Sequence, residues 1–197
     1  MEALITPKVI EQITDFISIS KKDPNAEVEC KFLSGRIQTK NVADRVLKAL
    51  QTLSIGKSTE EDRLTLSYST DHLRVSVVGL PFVHKVCVQN SFKDVPLLVE
   101  QKKAYYEKGY GKSDMIDLPD VNAKFTLRSE KEIRRDWDGT PSDPKSFLRI
   151  MKRKSFMTQG DLFRIDFSMV KSRVENSKQA IKDILKQQPK YELEILA

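Results

Sequence analysis

Glu27-Val28-Glu29-Cys30-Lys31-Phe32 alternates charged and apolar side chains at every step. A period of two marks a strand with one polar and one buried face. Glu27, Glu29 and Lys31 therefore lie opposite Val28, Cys30 and Phe32. At the rise of an extended chain the two glutamate Cα atoms stand about 6.6 Å apart, which lets both carboxylates converge on one cation. Oxygen donors of this kind suit hard divalent ions such as Mg²⁺ or Mn²⁺. The pattern returns in Tyr191-Glu192-Leu193-Glu194-Ile195, where Glu192 and Glu194 share a face. One such pair is common on a solvated strand; two pairs at opposite ends of the chain are more specific. Four carboxylates in one place repel without a cation among them, so the pattern predicts a metal.

The same alternation recurs along the chain. It predicts strands over 27–33, 62–68, 72–78, 100–108, 122–130, 148–157, 163–170 and 190–196. In the fifth, Ala123, Phe125 and Leu127 oppose Lys124, Thr126, Arg128 and Glu130. In the seventh, Phe163, Ile165, Phe167 and Met169 oppose Arg164, Asp166 and Ser168. Ser69-Thr70-Asp71 reads as a hairpin turn between the second and third strands. An open antiparallel sheet with one face in water gives this pattern. A closed barrel with a polar lumen, packed outside by helices, gives it equally. The alternation alone leaves both open.

Helical spacing predicts three further elements. Thr6 caps the first, with Pro7 at its first position and Val9, Ile10, Ile13, Phe16 and Ile17 as its apolar stripe. Asn41 is a candidate cap for the second, which carries Val42, Val46, Ala49, Leu50 and Leu53. Ser172 and Glu175 form a capping box for the third, with Val174, Ile181, Ile184 and Leu185. A short helix over Leu80–Gln89 is also compatible, and 105–120 reads as a loop. There is no repeat and no linker, so 1–197 is expected to be one domain, α+β in class.

Composition narrows the chemistry. Two cysteines and two histidines in 197 residues exclude a disulfide scaffold and a Cys-rich zinc site. The cysteine usage fits a reducing, intracellular compartment. No run of residues is apolar enough for a membrane helix, and the N-terminus has no secretory pattern. The net charge is +6, and Arg149–Lys190 holds eleven Lys/Arg against four Asp/Glu. Such a segment suits an anionic partner. Lys178, Lys182, Lys186 and Lys190 read as a solvated helix face, whereas the arginines fall within strands. Cys30 falls on an apolar face, as an inert thiol would. His84 and Cys87 lack a third partner for nucleophilic chemistry. Trp137 reads as a surface-loop residue.

Glu27–Phe32, Phe163–Ser172 (FRIDFSMVKS) and Tyr191–Ile195 together resemble the triphosphate tunnel metalloenzyme family. In particular they are similar to the RNA 5′-triphosphatases of fungal and large-DNA-virus mRNA capping. The resemblance spans most of 25–196. It implies an eight-stranded antiparallel β-barrel, a tunnel with a polar lumen and flanking helices. It implies Mg²⁺ or Mn²⁺ held by Glu27, Glu29, Glu192 and Glu194, with Lys31 as the ammonium of the first-strand motif. Arg74, Lys124, Arg128, Arg149, Arg153 and Arg164 become phosphate-binding cations. Asp166, with Glu130, orients those cations or the attacking water.

Two departures stand out: Met151 interrupts the basic strand between Arg149 and Arg153, and Leu196 takes the place of a third glutamate. The implied substrate is 5′-triphosphate RNA or a nucleoside triphosphate. The implied partner is a guanylyltransferase domain, in cis if this domain was excised from a larger capping enzyme, or in trans. The implied setting is host cytoplasm or virus factory, nucleus, or virion. Two rival readings are a tunnel hydrolase of free nucleotide, inorganic or thiamine triphosphate, and a non-catalytic RNA-binding capping scaffold.

Overall fold

The computed structural model describes residues 5–32, 37–53, 58–105, 113–133, 137, 139–158, 160 and 162–197. Among these, strands run as β1 (Ala26–Phe32), β2 (Ser58–Tyr68), β3 (Leu73–Val78), β4 (Leu98–Ala104), β5 (Met115–Leu118), β6 (Ala123–Glu132), β7 (Phe147–Met157), β8 (Arg164–Arg173) and β9 (Lys190–Leu196). Helices are α1 (Pro7–Ser20), α2 (Lys40–Leu53), α3 (Leu80–Gln89) and α4 (Ile181–Leu185). No helix among the described residues is long and apolar enough to cross a membrane.

Every strand pairing is antiparallel, in the order β1-β9-β8-β7-β2-β3-β4-β6, and β6 returns to β1. The sheet therefore closes into an eight-stranded barrel, which leaves none of these eight strands as an open edge. β5 is an addition: it pairs with the first half of β6, on the edge whose second half pairs with β4.

Register then sorts the side chains. Residues directly opposite in an antiparallel pair share a face. Lys31 stands opposite Glu194, Glu194 opposite Asp166, and Glu29 opposite Leu196. Arg63 faces Met151, and Arg74 faces Glu100. One set of alternate residues therefore lines the lumen all the way round. The complementary set is largely apolar and packs outward.

The hydrophobic core accordingly lies outside the barrel, between its wall and the helices. Phe16 of α1, wholly buried, packs with Val28, Cys30, Ala123 and Leu127. Enclosing a side chain of that size contributes roughly 2–3 kcal/mol. Ala43 and Leu50 of α2 sit with Phe156 and Phe167. Val83 and Val86 of α3 and Ile181 and Ile184 of α4 cover Leu64, Leu66 and Leu148. Gly79 joins β3 to α3 at φ +99°, a conformation that a side chain would strain.

The local expectations fare unevenly. Thr6 caps α1 through a 3.4 Å bond from the Val9 amide, as expected, but Ile10 lies 55% exposed, off the buried stripe. Thr39, not Asn41, caps α2 by accepting from the Val42 amide. The capping box fails: Ser172 is inside β8, because its neighbours pair with β7, and the helix is confined to Ile181–Leu185. Glu175 instead accepts from the amide and hydroxyl of Ser69, across the barrel end. The expected strand 100–108 runs Leu98–Ala104, and the last residues of that expectation lie outside those described. The expected loop 105–120 contains β5. Trp137 is not a free surface ring; it packs edge-on against Phe92 at 4.8 Å. A Cβ on Gly139 would come within 2.1 Å of that ring, so only glycine fits there.

Candidate active site

The lumen holds a cavity of about 430 Å³ lined almost wholly by polar side chains. Its cations are Lys31 of β1, Arg63 of β2, Arg74 of β3, Lys102 of β4, Arg149 and Arg153 of β7, and Arg164 of β8. Its carboxylates are Glu27 and Glu29 of β1, Glu100 of β4, Glu130 of β6 and Glu194 of β9. Alternation alone delivers them: each is flanked in sequence by residues that pack on the outer face.

The two glutamate pairs come together, on neighbouring strands and facing inward. Lys31 Nζ lies 2.5 Å from Glu194 and 3.7 Å from Glu29. Lys102 Nζ lies 3.1 Å from Glu27 and 3.8 Å from Glu29, and also pairs with Glu130. Glu192 pairs with Arg149 at 2.7 Å. Repulsion among the acids, which in sequence pointed to a metal, is here relieved by ammonium and guanidinium groups. Among the described residues no three His, Cys, Asp or Glu side chains gather as a metal-ligand set.

Arg153 bridges two acids, Asp166 at 3.1 Å and Glu194 at 3.5 Å. Asp166 is fully buried and also accepts from Arg164 Nε at 3.1 Å. Its carboxylate thereby holds two guanidinium groups at once. Arg74 is held by Glu130 at 3.3 Å. Of the six expected phosphate cations, Arg74, Arg149, Arg153 and Arg164 line the cavity. Lys124 and Arg128 do not; they pair with Asp117 and Asp114, at 3.4 Å each, beside β5.

Met151 shares the lumen face with Arg149 and Arg153, and Lys152 and Lys154 point outward to Glu60. There is no bulge to shift the register, so β7 supplies two inward cations. Lys102 and Arg63 were not singled out from sequence. For Arg63 the signal was present, since Leu64 and Leu66 on the other face are fully buried. For Lys102 it was masked, because Glu100-Gln101-Lys102-Lys103 is polar at every position and only buried Val99 reports which face is which.

Burial pushes the Glu27 carboxyl above its ordinary range. Lys102 opposes this, while Glu130 and Glu29 add to it. Glu130 is also pushed up by burial, but Lys102 and then Arg74 pull it below the ordinary value. Burial acts on Glu194 likewise, and Lys31, with Arg149 and Arg153, brings it down. Burial, then Glu130, pushes Glu100 up as well, so Glu27 and Glu100 are the under-compensated acids of the lumen. Glu29 shares the Lys102 ammonium with Glu27, so the two β1 carboxylates are held beside one cation. Thiol chemistry is remote from the tunnel. Cys30 packs outside the wall, its pKa raised by burial to about 11, and half-buried Cys87 is raised likewise.

No family model matches the sequence, and no curated protein matches it. The fold matches the RNA triphosphatase domain of a trifunctional mimivirus mRNA capping enzyme with a TM-score of 0.67 at 18% identity. That match covers 100% of this chain and 90% of that one. A monoclinic form of the mimivirus capping enzyme triphosphatase matches at 0.69 and 15% identity, over 98% of this chain and 90% of that one. The Pct1 RNA triphosphatase of S. pombe matches at 0.56 and 13%, over 98% and 79%. Likeness at these identities is one of fold. Over almost its whole length the chain has the closed-barrel fold of those triphosphatase domains.

Proposed function

We propose that the protein is a metal-dependent polynucleotide 5′-triphosphatase, removing the γ-phosphate of triphosphate-ended RNA as the first step of mRNA capping. One observation carries this reading: glutamates from β1 and β9 converge with arginines from β3, β7 and β8 inside a single closed lumen. Forked guanidinium donors match phosphate oxygens, so a lumen ringed by them suits a chain of phosphates.

Arg149 and Arg153 on one wall and Arg74 on another would grip the non-bridging oxygens, with Arg164 at the β8 end of the cavity. Asp166 keeps Arg153 and Arg164 from swinging away. Glu27, Glu29 and Glu194, with Glu192 beyond them, would hold Mg²⁺ or Mn²⁺, which supplies charge neutralisation at the phosphate undergoing transfer. Water attacks the γ-phosphorus in line and the β–γ bridging bond breaks. Orthophosphate, a 5′-diphosphate end and one proton result. No protein nucleophile takes part; rate comes from fixed charges in a site that need not reorganise.

The product is what a capping guanylyltransferase consumes, so such a domain, in cis or in trans, is the natural partner. Two unpaired thiols suit a reducing compartment, whether cytoplasm, virus factory or nucleus. The test is phosphate release from triphosphate-ended RNA, ATP and tripolyphosphate with Mg²⁺ or Mn²⁺, repeated after chelation. Metal-dependent release from RNA supports the reading. RNA binding without release, steeply salt-dependent and indifferent to metal, would leave the scaffold reading instead.

A further inference from the structure

The eleven basic residues between Arg149 and Lys190 divide by face. Arg149, Arg153 and Arg164 line the lumen, and Arg173 is buried outside it. The other seven are all lysines, and none lines the lumen cavity. The lumen arginines are matched by Asp166, Glu192 and Glu194. The lysines meet fewer acids. Glu60 lies within 3.6 Å of both Lys152 and Lys154, Asp62 stands opposite Lys152 in the ladder, and Asp183 is in α4. Positive charge is therefore left over on the outside of the barrel.

That charge gathers on one part of the wall. Lys152, Met169 and Tyr191 stand opposite one another across β7, β8 and β9, on the face turned away from the lumen. The Lys152 side chain is 54% exposed and Met169 38%. Tyr191 is half-buried, its ring stacked on Phe167 at 6.1 Å. On one side of this row α2 covers the wall, over Phe156 and Phe167. On the other side lies α4, which turns Ile181 and Ile184 inward and leaves Lys182, Leu185 and Lys186 exposed. Lys171, outward on β8, donates to the Leu185 carbonyl and ties the row to α4.

We infer that this outer strip between α2 and α4 carries single-stranded RNA, the stretch of chain that follows the end held in the tunnel. For the identity of that RNA it rests on the polynucleotide reading above; docking itself needs no hydrolysis. Lysines spaced along a track neutralise the backbone of a polyanion. The ring, thioether and aliphatic surfaces of Tyr191, Met169 and Leu185 lie among them, and bases stack on surfaces of that kind. A compact anion calls for forked guanidinium groups aimed at one point, as in the lumen. On the outer strip the cations are lysines strung over two strands and a helix, which suits an extended chain.

The experiment compares the whole chain with a triple variant, Lys152→Ala, Lys182→Ala and Lys186→Ala. The control is Lys8→Ala, Lys21→Ala and Lys22→Ala, the same change of charge on α1, which packs on β1 and β6 across the barrel from β7. Fluorescence anisotropy follows a 5′-hydroxyl single-stranded RNA of about 20 nucleotides, longer than one such site, over a range of salt. In the first variant Kd should rise about tenfold. Its salt slope should flatten by about 2, at roughly 0.7 for each lost phosphate contact. The control should stay within about twofold. The KM for triphosphate-ended RNA of that length should rise with Kd, while KM for ATP and both kcat values hold. Equal weakening in the two variants, or none in either, overturns the inference. So does a fall in RNA affinity that leaves the RNA KM in place. An equal loss of polyglutamate binding also overturns it, marking a surface for acidic protein instead. Lysine-dependent RNA binding with no phosphate released from any substrate would overturn the triphosphatase reading and leave the strip assigned.

Discussion

Lys31 Nζ lies 2.5 Å from Glu194 Oε1, an ion pair that joins the first strand of the chain to the last. The same ammonium reaches Glu29 at 3.7 Å, so two acids from opposite ends of the sequence meet across it. It does for them what a bound cation would do, with one charge where a divalent ion brings two.

Removing that ammonium leaves Glu29 and Glu194 facing one another. Lys31→Met should lower stability by about 1 kcal/mol, a figure discounted because the lysine is about a third exposed. Mn²⁺ should then raise the melting temperature of the variant more than that of the wild type. Melting curves with and without metal measure both effects. Equal metal shifts would mean that Lys31 and the metal do not share these carboxylates.

Glu27→Ala and Glu29→Ala should each reduce metal-dependent phosphate release by about a hundredfold or more, while the fold is kept. Their side chains point into the lumen and add nothing to the apolar packing outside it. Circular dichroism checks the fold and orthophosphate release checks the chemistry. Wild-type rates in both variants would remove these residues from the mechanism.

Acid should act on the lumen in opposite directions. Glu130 and Glu194 sit below the ordinary value of 4.5 in the folded chain. Their contribution is therefore present above that value and is lost as pH falls through the lower folded one. Glu27 sits above 4.5, so its contribution is full below that value and is lost as pH rises through the higher folded one. At neutral pH without metal, Glu27→Gln should raise the melting temperature. Glu130→Gln and Glu194→Gln should lower it and flatten the acid limb. Melts recorded from acid to neutral pH separate the two signs.

Arg173 faces outward from β8 but is only 2% exposed. It donates to the carbonyls of Asp143 and Gln179 and to the Ser146 hydroxyl, tying the β8 end to two neighbouring segments. Arg173→Ala leaves those acceptors without their donor, the Ser146 hydroxyl in a buried position, and should cost about 2–4 kcal/mol, read by urea unfolding. Phosphate release by the remaining folded fraction should keep its KM, because Arg173 is outside the tunnel.

The barrel was legible wherever one face of a strand was uniformly apolar. Leu64 and Leu66, or Phe125 and Leu127, announce their strands because the wall must pack against helices. Closure was not legible that way: an open sheet and a ring give the same alternation, and only the pairing of β1 with both β6 and β9 distinguishes them. The glutamates and the β7 arginines stood out as charges at even spacing. Lys102 did not, because its outward neighbours Gln101 and Lys103 are as polar as it is. Lys124 and Arg128 share the face of Lys31 and Glu27, yet Asp117 and Asp114 pair with them beside β5, a pairing that local periodicity cannot foresee. The capping-box pattern at Ser172 was overridden by ladder bonds to β7, a long-range preference stronger than a local one.

Because β9 zips to β8 on one side and β1 on the other, the ring cannot shut until the last strand has left the ribosome. Until then β1 and β8 each present an unpaired edge, and the chain is open to mispairing with its neighbours. Pairings that span most of the sequence also make for slow folding. The seam that sets Glu194 beside Lys31 is thus the final stitch of assembly, so a half-made protein has neither a sealed wall nor the β9 carboxylates of its lumen.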